Sequence, residues 1–261
     1  MIRAVFLDID GTLISVRTHA PAPRTAQALL RAKERGILLF VATGRHTAVR
    51  EEGYILDLLP DCFDGFVGLT GHYCYTRQGE VVRKQPLDPG DVRRVKEVAG
   101  KHRIPYTYAY HDKAFISHVD DRVRRHNASL DLPIPPVMEL DPSQEVYSIT
   151  LYIDKADEMN LIRPQLRHST TVSWMEGIAD LCGPEGGKSA GILAMLKRFH
   201  LSPEEALAVG DSDNDLTMFE CLGSSAAMGG CTPALRAVAD YVAAPCEEDG
   251  IYDTFQHFKL L

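Results

Sequence analysis

The sequence has no long apolar run, a single tryptophan among 261 residues, and six cysteines that form no CxxC pair. A helix that crosses a bilayer needs about 20 consecutive apolar residues, so no membrane span is expected. Strand-like residues begin directly after Met1-Ile2-Arg3, which leaves no room for a signal peptide at this end. Scattered cysteines without an export signal are typical of reduced thiols, so we expect a cytoplasmic protein.

Concentrated positive charge is also scarce, because the formal net charge is −8. Surfaces that bind nucleic acid or anionic membranes carry basic patches, and neither partner is expected here. The short basic cluster at residues 122–125 is interpreted as a solvated helix face. No internal repeat or low-complexity segment interrupts an ordinary globular composition, and nothing in the sequence indicates an oligomeric state.

The most informative stretch is VFLDIDGTL at residues 5–13. Its apolar residues predict a buried strand, which ends in two carboxylates, Asp8 and Asp10, and a glycine. Side chains two apart on a strand share a face, and two carboxylates on one face repel each other unless a cation or a shared proton intervenes. Mg²⁺ prefers such oxygen ligands. A solvated Asp-Gly turn is the alternative interpretation of these residues alone.

A second polar group follows the apolar run ILLFVA at residues 37–42. This run predicts a buried parallel strand, and Thr43, Gly44 and Arg45 come directly after it. A hydroxyl, exposed backbone N–H groups and a guanidinium are what a phosphate site needs. Taken alone, the same residues also suit a strand cap with a surface arginine.

Two further groups occur late in the chain. Lys188 follows flexible glycines at the start of a predicted helix, where the helix dipole favours anions rather than cations. The strand-like residues 206–209 end in GDSDND, residues 210–215, whose clustered acids would be costly without a cation. The alternatives are an exposed lysine and an aspartate-rich turn that caps a helix.

The order of these groups resembles that of the four motifs of the haloacid dehalogenase-like (HAD) superfamily in its Cof-like branch. The matching segments are DIDGT, VATGR, Lys188 and GDSDND. The resemblance covers nearly the whole chain. It implies that Asp8 is the nucleophile and Asp10 the general acid and base, and that Mg²⁺ binds Asp8, Asp211 and the backbone carbonyl of Asp10. It further implies a set of phosphate-binding or substrate-binding residues and one supporting carboxylate: Thr43, Gly44, Arg45, Lys188 and Asn214, with Asp215 supporting. Asp213 falls at a variable position and receives no role.

The predicted fold class is α/β, a Rossmann-like doubly wound parallel sheet with an inserted α+β cap. Residues 1–82 and 185–261 are expected to form the catalytic core, and residues 83–184 the cap that sets substrate specificity. For the cap we predict the order αββαβαβ, a sheet with helices on one side. Tyr106, Tyr108 and Tyr110 alternate on one strand of it. They are interpreted as packed under the cap helices, with sugar stacking as the alternative.

One position departs from the family pattern. Members of this branch usually carry Asn-Gly after the third strand, whereas this chain has Thr70-Gly71 followed by His72. We interpret His72 as a loop histidine, with replacement of the family asparagine as the alternative.

The function implied by the resemblance is Mg²⁺-dependent hydrolysis of small phosphomonoesters through an aspartyl-phosphate. Hexose phosphates are the expected substrates, with pyridoxal phosphate or a flavin nucleotide also possible. The second aspartate, Asp10, favours a phosphatase over dehalogenases and P-type ATPases, which lack it. A phosphomutase of the phosphomannomutase type is the nearer alternative, and a non-catalytic sugar-phosphate-binding regulator is the more distant one.

Overall fold

The computed structural model describes residues 1–45, 58–59, 61–129, 132–154, 156–184 and 186–261. Within these residues the chain divides into two compact units. One unit comprises Met1–Lys84 and Gly187–Leu261, and the other comprises Gln85–Gly186. The predicted boundaries lay at 82/83 and 184/185, and Glu185 itself is outside the described residues.

The strands follow one another along the chain as follows: Ala4–Leu7 (β1), Leu38–Ala42 (β2), Gly65–Gly68 (β3), Tyr73–Thr76 (β4), Val81–Lys84 (β5), Tyr106–Ala109 (β6), Ala114–Ile116 (β7), Ser148–Tyr152 (β8), Thr170–Met175 (β9), Ile178–Cys182 (β10), Ala206–Gly210 (β11), Ser224–Ala227 (β12) and Tyr241–Val242 (β13). The α-helices are Thr25–Glu34 (α1), Pro89–His102 (α2), Asp121–Ser129 (α3), Ala156–Ile162 (α4), Lys188–Arg198 (α5), Leu216–Cys221 (α6), Pro233–Val238 (α7) and Gly250–His257 (α8). None of the helices in the described part of the chain is both long enough and apolar enough to span a membrane.

The first unit is built on an eight-stranded sheet in the order β13-β12-β11-β1-β2-β3-β4-β5. The strands from β13 to β3 in this order are parallel, and β4 and β5 form an antiparallel hairpin at one edge. Ala4 of β1 pairs with Ala206 of β11 on one side and with Leu38 of β2 on the other. β1 is therefore a central strand, which is why its four residues are all apolar and buried.

Helices cover both faces of this sheet. Val5 and Leu7 face a cluster that includes residues of α1 and α8, whereas Ala4 and Phe6 face a cluster with residues of α5, α6 and α7. The alternation of strand side chains thus divides one apolar strand between two cores. The predicted fold class, a doubly wound parallel sheet, is confirmed.

The second unit is a five-stranded antiparallel sheet in the order β7-β6-β8-β10-β9. Its central strand β8 lies between β6 and β10. The prediction for this unit omitted β10, which forms a hairpin with β9 around Gly177 (φ +82°). Asp180 interrupts the apolar residues of β10 and accepts a hydrogen bond from the hydroxyl of Thr150 in β8. The strand therefore lacks the continuous apolar pattern of a buried strand.

The sequence predicts that all helices of this unit lie on one side of its sheet. In the structure they lie on both sides. Residues of α2 and α4 pack on the face that carries the three tyrosines of 106–110, which are buried as expected. Val123 of α3 instead packs with Ile116, Tyr152 and Ile178, whose side chains point to the opposite face. Val123 is the single residue of α3 in this cluster, and one apolar residue is too few to produce a clear amphipathic pattern.

Candidate active site

Polar side chains meet at the edge of the large sheet where β1, β2 and β11 end. These strands are parallel neighbours, so their carboxyl ends lie side by side, where open α/β sheets place their ligands. Asp8 follows β1 directly, Thr43 follows β2 and Asp211 follows β11. The sequence-predicted residues therefore converge because of the topology of the sheet.

Asp8 is almost fully buried and its backbone is fixed by the neighbouring strand. Its N–H donates to the carbonyl of Val209 at 3.0 Å. Its Oδ1 accepts a hydrogen bond from Nζ of Lys188 at 2.7 Å. The first carboxylate of the chain and a lysine 180 residues further on thus form a buried ion pair.

Lys188 is completely buried at the N-terminus of α5. Its ammonium also donates to Oδ1 of Asp215 at 2.6 Å. Burial alone would lower the pKa of Lys188, but Asp215 and Asp8 more than offset that effect and raise the pKa above its usual value. The two carboxylates explain why a cation is tolerated at a helix end that favours anions.

Asp215 is committed to holding this arrangement. While its Oδ1 binds Lys188, its Oδ2 accepts the N–H groups of Asp211 at 2.9 Å and of Ser212 at 3.2 Å. A Cβ on Gly210 would lie 2.4 Å from this Oδ2, so only glycine fits there. The Asp215 carboxylate therefore links the lysine to the backbone of the loop after β11.

Asp211 lies against the turn that follows Asp10. The hydroxyl of Thr12 donates to its Oδ1 at 3.2 Å. Gly11 has φ +77°, and a Cβ at Gly11 would lie 2.3 Å from Oδ2 of Asp211. The glycine of the DIDGT motif thus permits both the left-handed turn and the close approach of this carboxylate.

The donor set fits a hard divalent cation. One oxygen each from Asp8, Asp211 and Asp215 lie within 4.8 Å of one another. Lys188 supplies one positive charge for these three carboxylates, and both oxygens of Asp215 are already engaged. Asp8 and Asp211 are therefore the carboxylates of this group that could hold Mg²⁺, which takes oxygen ligands.

The electrostatics of the site agree with this excess of negative charge. Burial raises the pKa of Asp8 to about 7, although Lys188 opposes the shift. Burial, together with the charges of Asp8 and Asp215, raises the pKa of Asp211 to about 8. Both carboxyl groups thus hold protons more tightly than usual when no cation is bound.

Asp10, in contrast, is partly exposed and pairs with Arg45. Nε of Arg45 donates to Oδ2 of Asp10 at 2.7 Å, and Nη2 donates to the other carboxylate oxygen. The sequence had assigned Arg45 to phosphate, but here its guanidinium contacts the predicted acid and base in a two-pronged contact. Arg45 and Asp10 are therefore direct neighbours in this site.

Thr43 is buried and its hydroxyl is oriented by the next turn of the chain. The N–H of Arg45 donates to Oγ1 of Thr43 at 3.0 Å, and the N–H of Thr43 donates to Val67 in β3. The hydroxyl oxygen is thus an acceptor within the loop, which leaves its proton to be donated elsewhere. Gly44 lies between these two residues and is partly buried.

Asn214 is held by the residue two positions before it. Its Oδ1 accepts a hydrogen bond from the hydroxyl of Ser212 at 2.8 Å, which leaves the NH₂ group of the amide as the donor toward other partners. Asp213, to which no role was given, is exposed and accepts a hydrogen bond from Thr232.

The sequence interpretation missed two residues of the site, Thr12 and Ser212. Both lie inside the recognised motifs, so their positions were visible, but their contacts with Asp211 and Asn214 come from the folded loops. His72 lies in the loop between β3 and β4, as the sequence predicted, but its side chain is buried. It is 1% exposed, and its Nδ1 lies 2.9 Å from the carbonyl oxygen of Leu69.

Comparison with known proteins identifies the class. A sequence model of the family described as haloacid dehalogenase-like hydrolase matches residues 5–255. The chain therefore belongs to the HAD-like hydrolase family, as its motifs predicted. The alignment spans all the elements that carry the site.

Curated relatives and solved structures narrow the class to phosphatases. A Streptococcus pyogenes protein, provisionally named a bifunctional phosphatase/peptidyl-prolyl cis-trans isomerase, is 30% identical over 264 residues; the match covers 100% of this chain and 54% of that protein. A Bacillus subtilis protein, provisionally named a phosphatase, is 27% identical over 261 residues, with 99% and 98% covered. The structure of a HAD subclass IIB sugar phosphatase superposes with a TM-score of 0.89 at 28% identity and covers 99% of this chain and 100% of that one. The chain is a hydrolase of the phosphatase type within this family.

Proposed function

We propose that the protein is a Mg²⁺-dependent phosphatase of small phosphomonoesters, with hexose phosphates as the first substrates to test. The observation that carries the proposal is the cluster in which the buried ammonium of Lys188 pairs with Asp8 and Asp215, while carboxylate oxygens of Asp8, Asp211 and Asp215 lie close together. Such a cluster favours a divalent cation next to a phosphate-binding loop. The similarity to a sugar phosphatase structure supports the hexose phosphates.

Asp8 is the proposed nucleophile. Its free oxygen attacks phosphorus, a new O–P bond forms, and the bond to the leaving alkoxide breaks, which gives an aspartyl-phosphate. Asp8 and Asp211 would hold Mg²⁺, together with the backbone carbonyl of Asp10, and the ion would let a carboxylate approach an anionic phosphate. Lys188 orients Asp8 through the 2.7 Å hydrogen bond.

Asp10 is the proposed acid and base. It donates a proton to the leaving alkoxide and then accepts one from the water that attacks the aspartyl-phosphate, so that phosphate leaves and Asp8 is restored. The Asp10 side chain is partly exposed, which suits a group that exchanges protons with the leaving alkoxide and with water. Arg45 would position this carboxylate.

The transferring oxygens would be held by Thr43, the backbone at Gly44, Lys188 and the amide of Asn214. Each is a hydrogen-bond donor, as charge stabilisation of a phosphoryl group requires. Asp215 supports Lys188 and the Asp211 loop.

The inserted unit, predicted as residues 83–184, is proposed to select the substrate. A small ester, rather than a nucleic acid or a membrane, fits the acidic net charge. The described cysteines are all free thiols, which is consistent with the proposed cytoplasmic location.

The test is phosphate release from a panel of sugar phosphates, pyridoxal phosphate and flavin mononucleotide, with Mg²⁺ and with EDTA. The wild type is compared with Asp8→Asn and with Asp213→Asn, which makes the same chemical change at an exposed position of the GDSDND loop. We expect Mg²⁺-dependent release that is lost in Asp8→Asn and kept in Asp213→Asn. Phosphate release by Asp8→Asn would contradict the proposed role of Asp8 as the nucleophile. Isomerisation without release would indicate a phosphomutase, and binding without either reaction would indicate a regulator.

A further inference from the structure

The turn after β3 has an unusual backbone. Leu69, Thr70 and Gly71 all adopt positive φ, at +52°, +54° and +82°. Residues with a side chain seldom enter this region, and a β-branched residue such as Thr70 does so least readily. Two such residues in succession persist only where the surroundings impose the conformation, which is typical of functional sites.

Hydrogen bonds tie this turn to both segments that carry the proposed phosphate ligands. The N–H of Thr70 donates to the carbonyl of Thr43 at 3.1 Å, and the N–H of Leu69 donates to that of Arg45 at 3.3 Å. In the other direction, the N–H of Gly187 donates to the carbonyl of Thr70 at 3.1 Å. Thr70 thus bridges the loop after β2 and the residue immediately before Lys188.

The contact with α5 is backbone against backbone. A Cβ on Gly71 would lie 2.2 Å from the carbonyl oxygen of Gly187, and a Cβ on Gly191 would lie 2.9 Å from Cα of Gly71. The same Cβ on Gly191 would also lie 2.6 Å from Cγ1 of Val67 and 2.8 Å from Sγ of Cys74, so α5 packs closely against this turn. A displacement of the turn must therefore displace the first turn of α5 and with it Lys188.

His72 closes the turn from inside the protein. Its Nδ1 and its backbone N lie 2.9 Å and 3.1 Å from the same carbonyl oxygen, that of Leu69. A carbonyl oxygen can only accept, so Nδ1 carries the proton in this contact. The ring is buried, which fixes the direction of that donor.

We propose that the turn at residues 69–72 is a positioning element that sets the placement of the Thr43 hydroxyl relative to the Lys188 ammonium. Gly71 and His72 are its positioning residues, Gly71 by allowing the contact with Gly187 and His72 by fixing the carbonyl of Leu69. The proposal rests on the phosphoryl-binding roles proposed above for Thr43 and Lys188. It explains why the chain tolerates a strained Thr70 where a more permissive residue would fold with less strain.

The first experiment compares Gly71→Ala with Gly36→Ala. Gly36 has nearly the same φ, +79°, but a Cβ there meets no atom within 4 Å. Both variants carry the left-handed strain, so both should lower the midpoint of thermal unfolding. Only Gly71→Ala should also weaken binding of orthovanadate and inorganic phosphate and lower kcat/KM, by about 100-fold for a displacement near 1 Å.

The second experiment uses His72, in case Gly71→Ala does not fold. His72→Asn keeps a donor near the position of Nδ1, whereas His72→Phe fills the space without a donor. We expect His72→Phe to lower kcat and vanadate affinity by at least about tenfold, and His72→Asn to restore most of both. A purely structural role would lower the unfolding midpoint without this pattern in kcat and affinity.

The outcomes separate this proposal from the proposed function. If folded Gly71→Ala or His72→Phe binds vanadate and turns over as the wild type does, the turn is not a positioning element. If the wild type hydrolyses other phosphate esters but not hexose phosphates, only the proposed substrate is wrong, because vanadate and phosphate still report on the site. If the wild type binds neither anion, the roles of Thr43 and Lys188 are wrong and this proposal fails with them.

Discussion

Asp215 and Lys188 form an ion pair in which neither side chain reaches solvent, with 2.6 Å between Oδ1 and Nζ. The ammonium is shared with Asp8, and the carboxylate is shared with two backbone N–H groups of the Asp211 loop. A single buried contact therefore connects the proposed nucleophile to the proposed metal loop.

Removal of the lysine charge should destabilise the protein strongly. In Lys188→Met the buried carboxylates lose their cation, and a broken buried pair costs about 3–5 kcal/mol. Chemical denaturation at pH 7.5 without added metal measures the loss. Lys197→Met, on the exposed side of the same helix, should change the free energy of unfolding by less than about 0.5 kcal/mol. Equal effects of the two substitutions would contradict the buried pair.

Binding of Mg²⁺ should release protons near neutral pH. The raised pKa values of Asp8 and Asp211, about 7 and about 8, mean that the metal-free site holds protons that a cation must displace. Calorimetry in two buffers with different ionisation enthalpies measures the number released. Affinity should rise between pH 6 and pH 8. Mg²⁺ binding without proton release would show that the ion does not bind at Asp8 and Asp211. Mg²⁺ binding to Asp211→Asn with the affinity of the wild type would show the same.

The same raised pKa values predict how stability without metal depends on pH. A carboxyl whose pKa is higher in the folded than in the unfolded state binds its proton more tightly when folded. Its contribution to the stability of the folded state is therefore present at pH values below its pKa in the unfolded state, about 4. This contribution is lost as the pH rises toward 7 and 8. Thermal unfolding in EDTA should show a midpoint that falls over this range, and added Mg²⁺ should restore it. An unfolding midpoint that rises with pH in EDTA would contradict the predicted direction of this pH dependence.

Loss of the Arg45 contact should affect turnover more than stability. The pair with Asp10 is partly exposed, and such pairs contribute about 0–1 kcal/mol. Arg45→Met should lower kcat by roughly 10- to 100-fold, because the acid and base is no longer positioned. Arg45→Lys should recover only part of the rate, since an ammonium cannot make the two-pronged contact. An unchanged kcat in Arg45→Met would remove Arg45 from the mechanism.

Asp91 should dominate the acid stability of the inserted unit. This fully buried carboxylate accepts the N–H groups of Arg167, His168 and Ser169 at 2.7–2.9 Å. Burial works against its charge, but these bonds prevail and lower the pKa of Asp91. Its stabilisation is therefore present above the unfolded pKa, about 4, and is lost as pH falls through the lower folded value.

The variant Asp91→Asn tests this assignment. At pH 7 it should lose about 1–3 kcal/mol, the cost of an unsatisfied buried group, and the difference from the wild type should shrink as the pH is lowered below 4. Asp121→Asn, an exposed position in the same unit, is the control. A difference between wild type and Asp91→Asn that grows toward low pH would contradict the assignment.

The sequence predicted the fold class and the convergence of the main site residues because each motif follows an apolar strand, and parallel strands end at one edge. It did not predict the pairing of Arg45 with Asp10, which depends on the path of the loop after β2. It also missed β10, where Asp180 breaks the apolar pattern, and placed α3 on the wrong side of its sheet. The contacts of Thr12, Ser212 and His72 could not be predicted, because they depend on turn geometry rather than on periodicity or residue type.

The position of β1 between β2 and β11 has a consequence for biosynthesis. β2 emerges from the ribosome soon after β1, but β11 follows only after the whole unit of residues 85–186 has been made. Until then the apolar strand that carries Asp8 has one unpaired edge, the kind of edge that promotes association between nascent chains. Residues that contact each other within Gln85–Gly186 are closer in sequence than β1 is to β11. This unit can therefore fold before β11 is available to pair with β1.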